Sequence, residues 1–266
     1  MSPLVQILSV LGLGLFWGLS PTFYRLMGDE GIPITHIIVM SGTGVGLGLA
    51  TLNWARGVGF RVDRRSAVYG LVCGLLLNLP FALSLFVARK LPVSLFAVIT
   101  STSPFWSYGL ALLMGREGLS LLRVLALAAG FLSSAVLILG RGGFEGSGST
   151  IWALVAFGPA VLYAIYNVYT SIAWPKGVDT LTAGALESFA SAVLVLPLLL
   201  LLDPVREPGD IHLGYWTLGV ITLIWVVERV CYFTLIRHSG SVTTAQAVYV
   251  ATPASVLLGA VFFNEP

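Results

Sequence analysis

Apolar blocks of about 20 residues, parted by polar breaks of three to ten, run the length of the chain. A helix of about 20 residues crosses a hydrocarbon core of about 30 Å. The blocks therefore predict membrane-spanning helices near residues 4–27, 33–55, 66–88, 92–114, 119–139, 150–173, 179–202, 212–236 and 242–264. The breaks, from "GDEGI" and "RKL" to "GRGGFEGSGS" and "DPVREPGDI", are too short to hold a soluble domain. Charged residues make up 10% of the chain and hydrophobic ones 57%, against about 25% charged in a soluble domain. A water-soluble fold is thereby excluded, and the lipid bilayer is the chain's first partner. The first block has no basic leader and is longer than a signal-peptide core, so it reads as a retained span.

The net charge of +2 gives no basic patch for a nucleic acid. Cys73 and Cys231 both fall inside apolar blocks, where packing is the expected use and a disulfide is not. Lysines and arginines collect on the cytoplasmic side of short loops. One side holds Arg56, Arg61, Arg64, Arg65, Arg116, Arg123, Lys176 and Arg237, and the other holds Arg25, Arg89, Lys90, Arg141 and Arg206. This bias places the N-terminus in the cytoplasm.

The chain also repeats itself. Shifted by 149 residues, "ALSLFVARKLPVSLFAVITSTSP" from Ala82 lies over "CYFTLIRHSGSVTTAQAVYVATP" from Cys231, with Pro104 on Pro253. The fourth and ninth spans are thus copies. The ninth lies five spans after the fourth, an odd offset, so the two run in opposite directions, as in the inverted repeats of transporters. The expected fold is an all-α polytopic membrane protein made of two inverted five-helix halves. Residues 1–140 form the first half and 141–266 the second, with nine spans visible and a tenth expected beyond Pro266.

These features, with "LFWGLSP" on the first span and a proline about a dozen residues before "GREGLS" or "NEP", resemble the drug/metabolite transporter superfamily, EamA type. Within it they resemble the bacterial aromatic amino-acid exporters of the YddG type. The resemblance implies a proton- or gradient-linked exporter in the bacterial inner membrane. It also implies that spans 1, 3, 4, 6, 8 and 9 surround a central cavity, with spans 5 and 10 outside. The second span reads "THIIVMSGTGVG" where many such relatives carry an arginine.

Ionisable groups within spans are costly and mark sites or structural pairs. Glu228 is a candidate contact for a substrate ammonium or a proton, the alternative being that Glu228 and Arg229 are structural partners of nearby polar groups. Arg229 follows Glu228 about 100° further round the helix, so the two are not expected to face one neighbour. Glu187 lies on a span outside the implied cavity and reads as structural. Asn78, Asn167 and Gln246 are buried amides on spans that the resemblance places at the cavity. Trp17, Tyr163, Tyr232 and Tyr249 form a candidate aromatic wall for amphipathic side chains. Pro21, Pro80, Pro104 and Pro253 free backbone carbonyls within spans and are candidate gating bends. Glycine pairs four apart, Gly14 with Gly18, Gly42 with Gly46, Gly44 with Gly48 and Gly70 with Gly74, predict close helix contacts.

No metal-ligand spacing, phosphate loop or cofactor motif is present, and His36, His212 and His238 are scattered. The expectation is a secondary transporter and not an enzyme, exporting amino acids, aromatic ones included, with protons as the candidate coupling ion. A phosphorylated-sugar or nucleotide-sugar transporter is the alternative, and an intramembrane enzyme or receptor the more distant one.

Overall fold

A computed structural model describes residues 2–60, 62–139, 150–202 and 213–264. Arg61, Arg141, Arg206 and His212, with the breaks at 140–149 and 203–212, lie outside the described residues. The elements are α1 (Pro3–Asp29), α2 (Ile34–Ala55), α3 (Arg64–Ala88), α4 (Val93–Thr100), α5 (Ser103–Leu113), α6 (Leu121–Leu139), α7 (Thr150–Ile172), α8 (Thr180–Leu202), α9 (Leu213–Ala245) and α10 (Val248–Phe263). All are helices, as the spacing of the apolar blocks requires, and α1, α2, α3, α7, α8 and α9 are each long and apolar enough to cross a bilayer.

Local chemistry sets where the helices start. Asp63 caps α3 by accepting from the Ser66 amide at 2.8 Å, while the Ser66 hydroxyl accepts from the Asp63 amide at 2.9 Å. This is a reciprocal capping box. The Ser66 hydroxyl and amide hold the Asp63 carboxyl below the usual carboxylate range. Asp179 also caps α8, its carboxylate accepting from the Leu181 amide at 2.9 Å and the Thr182 amide at 3.2 Å.

Two spans differ from the sequence expectation. The fourth is broken: α4 has 8 residues and α5 has 11, so neither alone crosses a bilayer at about 1.5 Å per residue. The break falls at Ser101 and Thr102, and Pro104 sits in the first turn of α5, where its missing N–H costs no helical bond. The eighth span ends inside the expected loop "RHSGS", where the chain turns at Gly240 with φ 78° and ψ 176°. That conformation favours glycine. The ninth span is the other broken one: its interruption lies between α9 and α10, upstream of Pro253, which sits inside an unbroken helix. Pro21 and Pro80 are likewise interior to α1 and α3.

The glycine pairs mark the closest helix contacts. A Cβ on Gly42 would lie 2.8 Å from the Ser188 carbonyl, and one on Gly74 2.7 Å from the Ser191 amide, so α2 and α3 both press on the backbone of α8. Gly44 and Gly48 meet Thr222 and Val226 of α9, and Gly14 and Gly18 meet Ala247 and Ala254 around the start of α10. Packing partners are reciprocal between the halves: α1 lies on α9 and α10, while α7 lies on α3, α4 and α5.

Candidate functional site

A cavity of about 160 Å³ opens where these helices converge. For scale, an engineered apolar cavity of about 150 Å³ holds benzene. Trp17, Tyr163, Asn167, Glu228 and Tyr232 of the sequence-predicted set line it, and so does Pro21.

Its charged corner is built from four helices, α1, α7, α8 and α9. The Trp17 indole N–H donates to Glu228 Oε1 at 2.8 Å. Arg229 Nε lies 3.5 Å from Glu228 Oε2, and its Nη1 lies 3.5 Å from Glu187 Oε1. The same Nη1 donates to the Tyr166 hydroxyl at 3.2 Å, which in turn donates to Glu187 Oε2 at 2.6 Å. A chain of contacts thus runs from the cavity wall at Trp17 to a carboxylate with no exposed surface on α8. Tyr166 and Tyr232 stack with centroids 5.5 Å apart and planes at 11°. The Tyr232 hydroxyl donates to Asn167 Oδ1 at 2.8 Å, which fixes that amide as an acceptor. Arg229 also lies over the Tyr232 ring at 5.5 Å, within cation–π range.

Glu228 and Arg229, expected to face apart, both line the cavity. Adjacent Cα–Cβ directions do diverge, but the long arginine side chain bends back across the gap. Glu187, expected to be structural and off the cavity, is not among the lining residues and stands directly behind Arg229. Span 7, which the resemblance placed outside, brings Ser188 and Ser191 to the cavity, and span 2 brings Ser41 and Gly42. The small residues that let α2 and α8 approach also put their backbones at the wall.

Other candidates lie off the wall. Asn78 is buried against α8: its Nδ2 donates to the Ser191 carbonyl at 3.0 Å and its Oδ1 accepts from the Ser191 hydroxyl. This is interhelical bonding. Tyr249 donates to the Leu127 carbonyl of α6 at 3.0 Å. Gln246 lies at the junction of α9 and α10. Neither they nor Pro80, Pro104 and Pro253 are among the lining residues.

Sequence reasoning missed a second aromatic cluster. Tyr24, Phe81 and Trp225 pack mutually at 5.4 to 6.1 Å, and Trp225 Nε1 donates to the Ser20 hydroxyl at 3.4 Å. A spacing signal for Trp225 was available, since it stands three residues before Glu228 and seven before Tyr232, on one helical face.

Apolar helices of membrane-crossing length around a cavity with a charged corner define a polytopic membrane transporter. The family model for the EamA-like transporter family matches residues 4–139, just over half of the chain, and the chain belongs to that family. The uncharacterized transporter YvbV of Bacillus subtilis (strain 168) is 26% identical over 181 residues, covering 66% of this chain. The aligned region is 57% of that relative's length. A solved structure, described as the crystal structure of a protein, matches with a TM-score of 0.60 at 19% identity, covering 96% of this chain and 99% of its own. That likeness is one of fold.

Proposed function

We propose that this protein is a secondary transporter of the bacterial inner membrane, with its N-terminus in the cytoplasm. It exports amino acids, aromatic and other amphipathic ones, together with related small metabolites. The observation that carries the reading is the position of Glu228: a carboxylate on the cavity wall, held by the Trp17 indole and flanked by the stacked rings of Tyr232 and Tyr166. Such a corner suits a solute with an ammonium group beside an apolar or aromatic body. Among the described lining residues Arg229 is the lone cation, and two carboxylates already engage it. A phosphorylated or nucleotide-linked sugar would call for several.

The repeated sequence and the reciprocal packing of α1 and α7 support alternating access, in which residues 1–140 and 141–266 act as inverted halves that exchange conformations around the cavity. In this reading the breaks after α4 and before α10, helped by Pro104 and Pro253, let hairpins α3–α4 and α9–α10 swing.

Efflux of labelled phenylalanine from loaded proteoliposomes tests the proposal. Wild-type vesicles release it faster than protein-free ones, and Glu228→Gln slows release while the protein remains folded and inserted. Wild-type flux in that variant removes Glu228 from the site, and absence of flux for every amino acid tried removes the amino-acid reading.

A further inference from the structure

Three charged groups are enclosed together, and their charges do not balance. Arg229 brings one positive charge and keeps it, because a guanidinium does not release its proton in proteins. Glu187 and Glu228 bring two acidic groups, with side chains 0% and 4% exposed against 16% for Arg229. With both carboxylates ionised the cluster carries a net negative charge in a medium where an unpaired charge is expensive.

Among the described residues no second cation faces Glu187. From α3 it is faced by Tyr69 and Cys73, from α7 by Tyr166, and from α9 by Glu228, Arg229 and Tyr232. On α2, also packed on α8, the one titratable residue is His36, which bonds to Tyr215 at 2.7 Å. The two acids are also held differently. Glu228 faces the cavity and accepts a hydrogen bond from Trp17. Glu187 lies behind Arg229, and its Oε1 accepts no hydrogen bond although it is fully buried. An ionised carboxylate has about four lone-pair sites to satisfy, and this one receives a single donor, the Tyr166 hydroxyl, at Oε2.

We propose that Glu187 is a proton-binding site, and that the cluster holds one added positive charge at a time: a proton on Glu187 when the cavity is empty, or the ammonium of a solute at Glu228 when it is filled. The inference rests on the transporter reading and sharpens its substrate class. With an amine bound and Glu187 still protonated, the cluster would carry a net positive charge. The proton leaves Glu187 for solvent, and Arg229 then pairs fully with the new carboxylate. A zwitterion adds no net charge and leaves the proton in place. Amphipathic primary amines, and not only amino acids, are therefore ligands, and they are the ones that exchange with a proton.

The test uses the full chain, purified in detergent in weakly buffered solution with a pH indicator, with binding followed by emission from Trp17 and Trp225. Phenethylamine is expected to bind and release a proton for each molecule bound, and phenylalanine to release few or none. In Glu187→Gln the release per bound amine is lost. Infrared difference spectra of the wild type provide a second reading that needs no variant: a protonated-carboxyl band disappears as phenethylamine binds. Equal release for both ligands, release that survives in Glu187→Gln, no binding of phenethylamine, or no loss of the carboxyl band overturns the proposal. Proton release without transport in vesicles would instead sustain the proton site and remove the transporter reading on which the exchange rests.

Discussion

The helices of residues 3–113 bring rings and hydroxyls to the cavity, Trp17, Ser20, Tyr24, Phe81 and Ser84 among them, and no charge among the described lining residues. Those of residues 150–263 bring Glu228 and Arg229 and back them with Glu187. Two halves with reciprocal packing partners thus differ in their chemistry. A scaffold of opposed helices needs shape, which small residues and matched spans provide on both sides. Recognition of a solute needs a charge at one place, and a second charged corner would add desolvation cost without a partner. In this account the first half acts as an aromatic wall and packing platform, and the second carries the titratable groups.

Removing the cation from the charged half tests this division most severely. Arg229→Ala leaves two acids enclosed without a counter-charge, and breaking a buried pair in this way costs about 3–5 kcal/mol. Thermal unfolding in detergent should show a large loss at neutral pH, and a change no larger than that of an exposed arginine would mean that water reaches the cluster freely. The first half's platform role is tested at its glycines. A methyl on Gly74 strikes the α8 backbone at Ser191, whereas one on Gly12 meets nothing within 4 Å. Gly74→Ala should destabilise by about 1–3 kcal/mol through overpacking, and Gly12→Ala should have little effect. Equal responses would break the argument that α8 is positioned from the first half.

The hairpins offer a further contrast. The turn at Gly240 uses a left-handed backbone, whereas its counterpart around Leu91 joins α3 to α4 with no positive φ. Gly240→Ala should therefore cost about 1–3 kcal/mol, measured by the same unfolding, and a neutral result would mean that the turn relaxes without cost. The smallest effect concerns the cap of α3. Because the folded Asp63 carboxyl lies below its ordinary value, its contribution is present above the unfolded value of about 3.9 and fades as pH falls through the folded one. Asp63→Ala should lower stability slightly at neutral pH and leave it unchanged in strong acid.

Much of this was legible because membrane spans are written in composition. Block lengths gave the helices, and each glycine pair found a facing helix, since the alternation of small and large residues is a local pattern. The broken fourth span was less legible. The run from Val93 to Leu113 is continuously apolar, and the interruption at Ser101 and Thr102 depends on hydroxyls bonding back to their own helix: Ser101 to the Val98 carbonyl at 2.6 Å and Thr102 to the Ile99 carbonyl at 2.7 Å. At the cavity, residue type and span single out Glu228, Trp17 and Tyr232, which all line it. Arg229 departs from its expected direction because direction along an ideal helix ignores side-chain reach. Asn78 and Tyr249 were assigned to the wall because a polar group in a span shows that it has a partner, but not whether the partner is a helix or a solute.

The central claim is that the second half reads a solute's ammonium at Glu228 and its apolar body against the rings. Equilibrium binding of phenylalanine, phenethylamine and 3-phenylpropionate, read from tryptophan emission in the wild type and in Glu228→Gln, tests it directly. The account predicts that the two ligands with an ammonium bind the wild type, that the acid without one binds at least tenfold more weakly, as about 1.4 kcal/mol of lost charge pairing requires, and that Glu228→Gln erases the difference. Binding of 3-phenylpropionate as tight as that of phenethylamine, or a preference that survives in Glu228→Gln, would contradict it.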